Sequence, residues 1–263
     1  MVDRERYGPW AVVAGGSEGV GASFAMQLAD AGIDLLLTAR NPGPLEQTAQ
    51  RARARGAQVR TACGDLREPG TLDAIVGAAA ELDVGLLVFN AGANSYGAEF
   101  VEGDLAGFQG VVDLNVGALL RLTHHFGKRL KDRGRGGLLL VGSLAGYLGQ
   151  PQIGVYSAVK AFDRVFAEGL WAELGPVGVD VLHLVLGVTR TPAMERAGLR
   201  MDLPGLNVAE PDDVAREGLA HLADGPVWVA AGNLDTARAR SDMDRAALVR
   251  KAVAATRRLV PAE

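Results

Sequence analysis

At 263 residues, 48% of them apolar, the chain has enough material for one large α/β domain with a sizeable core, although length alone would also admit two. A net charge of −4 argues against a general nucleic-acid binder, 35 glycines without a period exclude a collagen-like rod, and a single cysteine, Cys63, excludes an internal disulfide and fits a reducing compartment. MVDRERYGPW lacks a secretory apolar core and no apolar run reaches the ~18 residues that span a bilayer, so the expectation is a cytoplasmic protein with no membrane or nucleic-acid partner.

Residues 10–15 (WAVVAG) are a short apolar run ending in glycine, as a buried strand would be. GGSEGVG follows, then a helical pattern over 22–31. Gly15, Gly19 and Gly21 give a G-x-x-x-G-x-G spacing at this strand-to-helix turn. Glycines there let backbone N–H groups and a helix N-terminus approach a pyrophosphate, although tight turns need glycine in any case. The second apolar run, 33–39, ends in Ala39 and Arg40, followed by a Pro/Gly break and a charged helix over 45–55. Residues 57–63 read as a third strand leading into Gly64, Asp65 and Leu66, and 71–82 as a helix. A fourth strand, 86–89, ends in Asn90, Ala91 and Gly92. A long helix over 105–133 carries Asn115 in its middle and a basic end that the helix dipole favours. A fifth strand, 137–141, delivers Ser143, and a helix over 155–174 carries Tyr156 and Lys160. A sixth strand at 179–186, a seventh at 227–231 and a final charged helix at 242–259 complete the order.

Strand and helix alternate without a linker or an internal repeat. That pattern predicts an α/β fold in one domain spanning 1–263, a Rossmann-type doubly wound parallel sheet of about seven strands covered on both faces. Ligands of such a sheet bind at the C-terminal strand ends. The glycine loop, Arg40, Asp65, Asn90 and Ser143 all fall at such ends.

Tyr156 and Lys160 lie four residues apart, one helical turn, on one face. A lysine ammonium so placed stabilises a phenolate and suits a tyrosine to acid–base work near neutral pH, with Ser143 able to donate to the same substrate oxygen. Tyr-x-x-x-Lys on its own also arises by chance as a partly exposed helical pair.

Taken together these motifs resemble the short-chain dehydrogenase/reductase family over about 10–232. AGGSEGVG resembles the family's TGxxxGxG loop, which places Gly15, Gly19 and Gly21 on a cofactor pyrophosphate with Ser17 and Val20 among the contacts. Asp65 matches the acidic residue that meets the adenine, beside Leu66. Asn90, Ala91 and Gly92 match the N-A-G segment that borders the cofactor. Asn115, Ser143, Tyr156 and Lys160 match the catalytic tetrad, with the usual thirteen-residue step from Ser143 to Tyr156. LGVTRTPAM resembles PGxVxTxxM, which adds Gly187, Thr189 and Thr191 near the nicotinamide. Ala14, Phe89, Leu186 and Thr189 depart from the family's usual Thr, Asn, Pro and Val, and none of them touches the tetrad.

The resemblance implies hydride transfer between a nicotinamide and a carbonyl or secondary alcohol. Tyr156 would protonate the alkoxide, Ser143 hold its oxygen, Lys160 bind the ribose and tune the tyrosine, and Asn115 hold a proton-relaying water. A non-catalytic nucleotide-binding regulator on the same fold and a dehydratase or epimerase variant are the alternatives. NAD-preferring relatives usually place a carboxylate at the end of the second strand. Ala39 and Arg40 stand there instead, so NADP(H) is expected over NAD(H), with the acidic Glu18 cutting the other way. Residues 191–208 are long, Gly/Pro-broken and carry Met194, Leu199, Met201, Leu203 and Leu206, the pattern of a lid over an apolar substrate. Phe162, Val165, Phe166, Leu170 and Trp171 give the second long helix more apolar surface than one sheet face absorbs, so a homodimer or homotetramer is expected, with 233–263 a helical extension.

Other side chains have plainer readings. His124 and His125 read as surface or interface residues, His183 as a satisfied core histidine, and Cys63 as a small buried hydrophobe. The basic runs at 51–55 and 250–258 read as solvated helix faces. No Cys, His and carboxylate cluster has metal spacing.

Overall fold

The sequence VGLLVF at Val84–Phe89 is buried at every position rather than at alternate ones, as a strand covered on both faces must be. In the computed structural model, which describes residues 2–251, the strands in chain order are β1 Trp10–Ala14, β2 Asp34–Ala39, β3 Val59–Cys63, β4 Val84–Phe89, β5 Gly136–Ser143, β6 Val179–Leu186, β7 Val188–Thr189, β8 Val208–Ala209 and β9 Val227–Val229. The helices are α1 Arg4–Tyr7, α2 Gly19–Asp30, α3 Pro42–Arg53, α4 Pro69–Ala78, α5 Leu105–Val112, α6 Ala118–Arg133, α7 Gly154–Leu174, α8 Pro192–Arg196, α9 Pro211–Ala220 and α10 Leu234–Ala239. Seven strands form one sheet in the order β3-β2-β1-β4-β5-β6-β9, every pair parallel. The order reverses between β1 and β4, which opens a crevice at their C-terminal ends.

Apolar side chains cover both faces. On one, Phe24 and Leu28 of α2, Leu45 of α3 and Val214 of α9 pack on Val13, Leu37 and Leu184. On the other, Ile75 of α4, Leu122, Phe126 and Leu130 of α6 and Ala167 of α7 pack on Val12, Leu87, Leu138 and Val181.

Several boundaries differ from the sequence expectation for identifiable reasons. The supposed break at 42–44 is the first turn of α3, with Pro42 at the start, where its missing N–H costs nothing, and α4 opens on Pro69 in the same way. Strand β7 pairs with β8 and pins both ends of the 191–208 segment, which itself contains the helical turn α8. Helix α9 follows that segment. Helical residues run from 245 to 251, and the rest of the final helix expected over 242–259 lies outside the described residues.

The long helix is not uniform. Between α5 and α6 the backbone widens into one π turn, Asp113–Gly117, closed by a bond from the Ala118 N–H to the Asp113 carbonyl. By length and hydropathy alone the 105–133 run would suffice to cross a bilayer, more than the sequence reading allowed; here its apolar stripe covers β4 and β5.

Candidate active site

The glycine loop is set by contacts too close for any side chain. A Cβ on Gly21 would sit 1.9 Å from the Gly15 carbonyl oxygen and 2.6 Å from Nδ2 of Asn90, so α2 can begin there only with glycine. Asn90, at the end of β4, donates Nδ2 to the Gly15 carbonyl at 2.9 Å, and the Asn90 and Ala91 N–H groups both bond the Ala14 carbonyl. The loop is thereby fixed across the reversal point of the sheet. Thr48 of α3 donates to the Ser17 carbonyl at 2.9 Å, and Val20 is buried beneath the loop.

Beside it, one strand end, a π turn and one helix bring the catalytic candidates together. Ser143 ends β5, and its Oγ accepts from the Ala145 N–H at 3.1 Å, which leaves its own O–H for another acceptor. The turn Leu144–Tyr147 lies directly on α7, and a Cβ on Gly146 would be 2.6 Å from the Lys160 carbonyl. That contact sets Ser143 against the helix carrying Tyr156. Tyr156 is half-buried, with Lys160 Nζ 5.8 Å from its ring centroid. Lys160 is 1% exposed and donates to the Val141 carbonyl at 3.2 Å and to Asp163 Oδ2 at 2.9 Å. Asn115, in the π turn, is fully buried; its Nδ2 donates to the Val111 carbonyl at 2.9 Å and the Ala93 carbonyl at 3.2 Å. Its Oδ1 has no partner among the described residues. A Cβ on Gly92 would lie 2.5 Å from Lys160 Nζ and 2.9 Å from Asn115 Oδ1, so both polar groups converge on that glycine.

Burial alone would push the Lys160 ammonium down, but attraction to Asp163 and Tyr156 and the Asp163 hydrogen bond outweigh it and hold it above its ordinary range. Burial holds the Asp163 carboxyl above the usual carboxylate range, against the pull of Lys160. His183, on β6, is fully buried and is pushed down to about 3 by burial, with Lys160 and Arg164 adding to the effect. Neither of its ring nitrogens has a partner among the described residues, so it is a core histidine but not the satisfied one expected.

On the adenosine side, Arg40 is exposed at the end of β2 and its carbonyl accepts from the Cys63 thiol at 3.4 Å. Cys63 is exposed, not buried, because β3 is the edge strand of the sheet. Asp65 is not a free carboxylate: Arg67 donates to both of its oxygens, the shorter bond 2.7 Å. The Arg67 bond holds its carboxyl below the usual range against opposing burial, and Arg40 adds a smaller attraction. The Leu66 side chain is in the core, so only its backbone is left for the crevice. At the other end, Gly187 abuts the Asn233 amide, and Thr189 is buried and donates to the Gly187 carbonyl at 3.3 Å. Thr191 caps α8, and its methyl group occupies the space a Gly19 side chain would need. Arg196 of α8 then reaches Glu18 with two contacts, one of 3.1 Å. The 191–208 segment is thus fastened to the glycine loop at its start.

A backbone cradle of this kind, an unpartnered buried amide oxygen and a buried lysine beside a tyrosine are the groups a nicotinamide dinucleotide requires, and the residues fit it. The sequence profile described as short chain dehydrogenase matches residues 9–201. The chain belongs to the short-chain dehydrogenase family. This dehydrogenase is 29% identical over 250 residues to a 7beta-hydroxysteroid dehydrogenase of Clostridium sardiniense, covering 94% of this chain and 95% of that protein. A structure solved in work on 7beta-hydroxysteroid dehydrogenase stereoselectivity superposes with a TM-score of 0.86 at 25% identity, over 95% of this chain and 99% of the other. A short-chain dehydrogenase from Sphingobium yanoikuyae in complex with NADPH superposes with a TM-score of 0.78 at 31% identity, over 90% and 97%. As a member of the family the protein is an NAD(P)(H)-dependent oxidoreductase acting on CH–OH and C=O groups.

Sequence reading passed over three of these side chains. Asp163 lies three residues after Lys160 and so on its helical face, a spacing that could have exposed the pair. Arg67 and Arg196 act across turns and between distant segments, where periodicity carries no signal.

Proposed function

We propose that this dehydrogenase is an NADPH-dependent reductase of carbonyl groups on largely apolar substrates. The observation that carries the cofactor preference is Arg40: an exposed guanidinium ends β2 with Ala39, rather than a carboxylate, before it. A carboxylate at this strand end binds ribose hydroxyls and repels a 2′-phosphate, whereas a guanidinium attracts one. Glu18 opposes this, but its charge is engaged by Arg196. A bound nicotinamide supplies the hydride. Tyr156 donates its phenolic proton to the substrate oxygen, Ser143 donates a hydrogen bond to that oxygen, and Lys160 stabilises the phenolate left behind. Asn115 offers Oδ1 to a water that returns the proton from solvent.

The apolar substrate is read from a cavity that reaches Val155, the residue before Tyr156, and from the side chains of the lid. A cavity of about 200 Å³ is lined by Ala98, Phe100, Phe108, Pro151 and Val155, with Glu99 and Gln152 at its polar side. Met194 is exposed and Leu199, Met201, Leu203 and Leu206 are half-buried along the lid. A larger hollow of about 520 Å³ lies between Tyr147, Trp228 and Leu234; no tetrad side chain lines either space, and only the smaller one includes the residue next to Tyr156.

Titrating NADPH and NADH against the wild type and Arg40→Ala tests the cofactor reading. The wild type should bind NADPH more tightly, and Arg40→Ala should weaken NADPH about tenfold, the scale of one charge-assisted bond at an exposed site, while sparing NADH. Wild-type affinity for NADH equal to or better than that for NADPH overturns it.

A homodimer or homotetramer is the companion proposal. Val165 and Trp171 on α7 and Leu120 on α6 are 59%, 43% and 40% exposed, a row of large apolar groups that solvent does not favour. Light scattering at micromolar concentration should give at least twice the monomer mass; a monomer would refute it.

A further inference from the structure

Asp163 has no part in the chemistry described so far, yet it is 3% exposed and 2.9 Å from the catalytic lysine. Its Oδ2 takes the Lys160 ammonium and its Oδ1 is buried with no partner among the described residues. As a stability device this is a poor arrangement, since an apolar side chain of similar size would pack there without an orphaned oxygen. Its effect on the active site is specific. An ammonium has three N–H donors; Val141 and Asp163 take two, which orients the third. The negative charge also offsets part of the positive charge that Tyr156 feels.

We propose that Asp163 is a positioning residue of the proton-transfer pair, fixing the direction of the Lys160 ammonium and moderating its charge so as to set the pH range in which Tyr156 exchanges its proton. The inference rests on the reading of Tyr156 as the acid–base group. Among the described residues the surroundings of Lys160 offer no substitute for this carboxylate. On α7 it faces Tyr156, with Arg164 nearby; β5 contributes the Val141 carbonyl, the π turn the neutral Asn115 amide, and β6 His183, which stays uncharged through the working range.

The direction of the effect follows from charge. Removing the carboxylate leaves the lysine's positive charge unopposed, so the phenolate of Tyr156 forms at lower pH. Lys160, buried and without its counter-ion, also surrenders its own proton at lower pH. Both edges of the active pH window therefore move the same way.

Asp163→Asn and Asp163→Leu test this by two readouts. The first is the ultraviolet absorbance titration of the Tyr156 phenolate in cofactor-free protein, isolated by subtracting Tyr156→Phe. The second is the pH profile of kcat/KM for oxidation of a secondary alcohol. Phenolate formation and both limbs of the profile should move about one pH unit to the acid side, the scale of one charge removed nearby at intermediate dielectric. Asp163→Glu, which keeps the charge, should retain the wild-type profile. A uniform loss of rate with unmoved limbs, a move to the alkaline side, or failure of both Asn and Leu variants to fold overturns the proposal and leaves Asp163 a structural residue. If no carbonyl or alcohol is turned over at all, the proposed function fails, while the cofactor-free phenolate titration still decides the role of Asp163.

Discussion

Tyr156→Phe should lower turnover about 10²- to 10⁴-fold, the range of a single well-placed general acid or base, while leaving cofactor affinity unchanged. The substitution removes one oxygen and keeps a ring that is half-buried beside Lys160. Among the described residues no other group stands ready to take over. Ser143 is a poor acid, and Lys160 is enclosed by Val141, Asp163 and Gly92. Steady-state rates together with a cofactor titration separate the outcomes: near-normal turnover with cofactor bound removes Tyr156 from the mechanism.

Lys160→Met should damage the fold as well as the chemistry. It strands Asp163 in the interior with no cation, and breaking one side of a buried pair costs about 3–5 kcal/mol, or about 6–20 °C in Tm for a domain of this size. Adding Asp163→Leu should recover most of the melting temperature and none of the activity, because the lost stability belongs to an orphaned charge rather than to missing contacts. The pH dependence has a definite sign. Burial raises the Asp163 carboxyl in the folded state, so its contribution is fully present below the unfolded carboxylate range and is lost as pH rises through the raised folded value. The deficit of Lys160→Met should therefore shrink in acid. Thermal melts across pH check this; a single variant that melts like the wild type near neutrality would show that Asp163 does not depend on Lys160.

Much of this molecule can be read from its sequence because local rules and tertiary structure agree. The continuous apolar run of β4 can only be a strand covered twice, and the spacing of Gly15, Gly19 and Gly21 survives intact in a loop with no room for other side chains. Where the reading failed, a local signal was outweighed or absent. Pro42 and Pro44 read as a break, yet proline is at home in a first turn, and Pro211 followed by Asp212 and Asp213 announced α9 by the same rule unread. Burial was misjudged for Cys63 because nothing local marks β3 as an edge strand. Asp163 escaped notice because an acidic residue on a helix is ordinarily a solvated one, and only the packing of α7 shows this one to be enclosed.

The π turn beneath Asn115 ties the length of the chain to the chemistry. An α-helix turns about 100° per residue, so one extra residue in a turn rotates everything before it by that angle relative to everything after. Here the added residue lets α5 and α6 show different faces to the body of the protein while the side-chain Oδ1 of Asn115 converges with Lys160 Nζ on Gly92. A deletion of Leu114 or Val116 would restore a regular helix without removing any of the four side chains proposed for catalysis. It would swing either Asn115 or the α6 stripe out of place, so in this stretch spacing is constrained as tightly as identity, and length variation that surface loops absorb freely would be lost here.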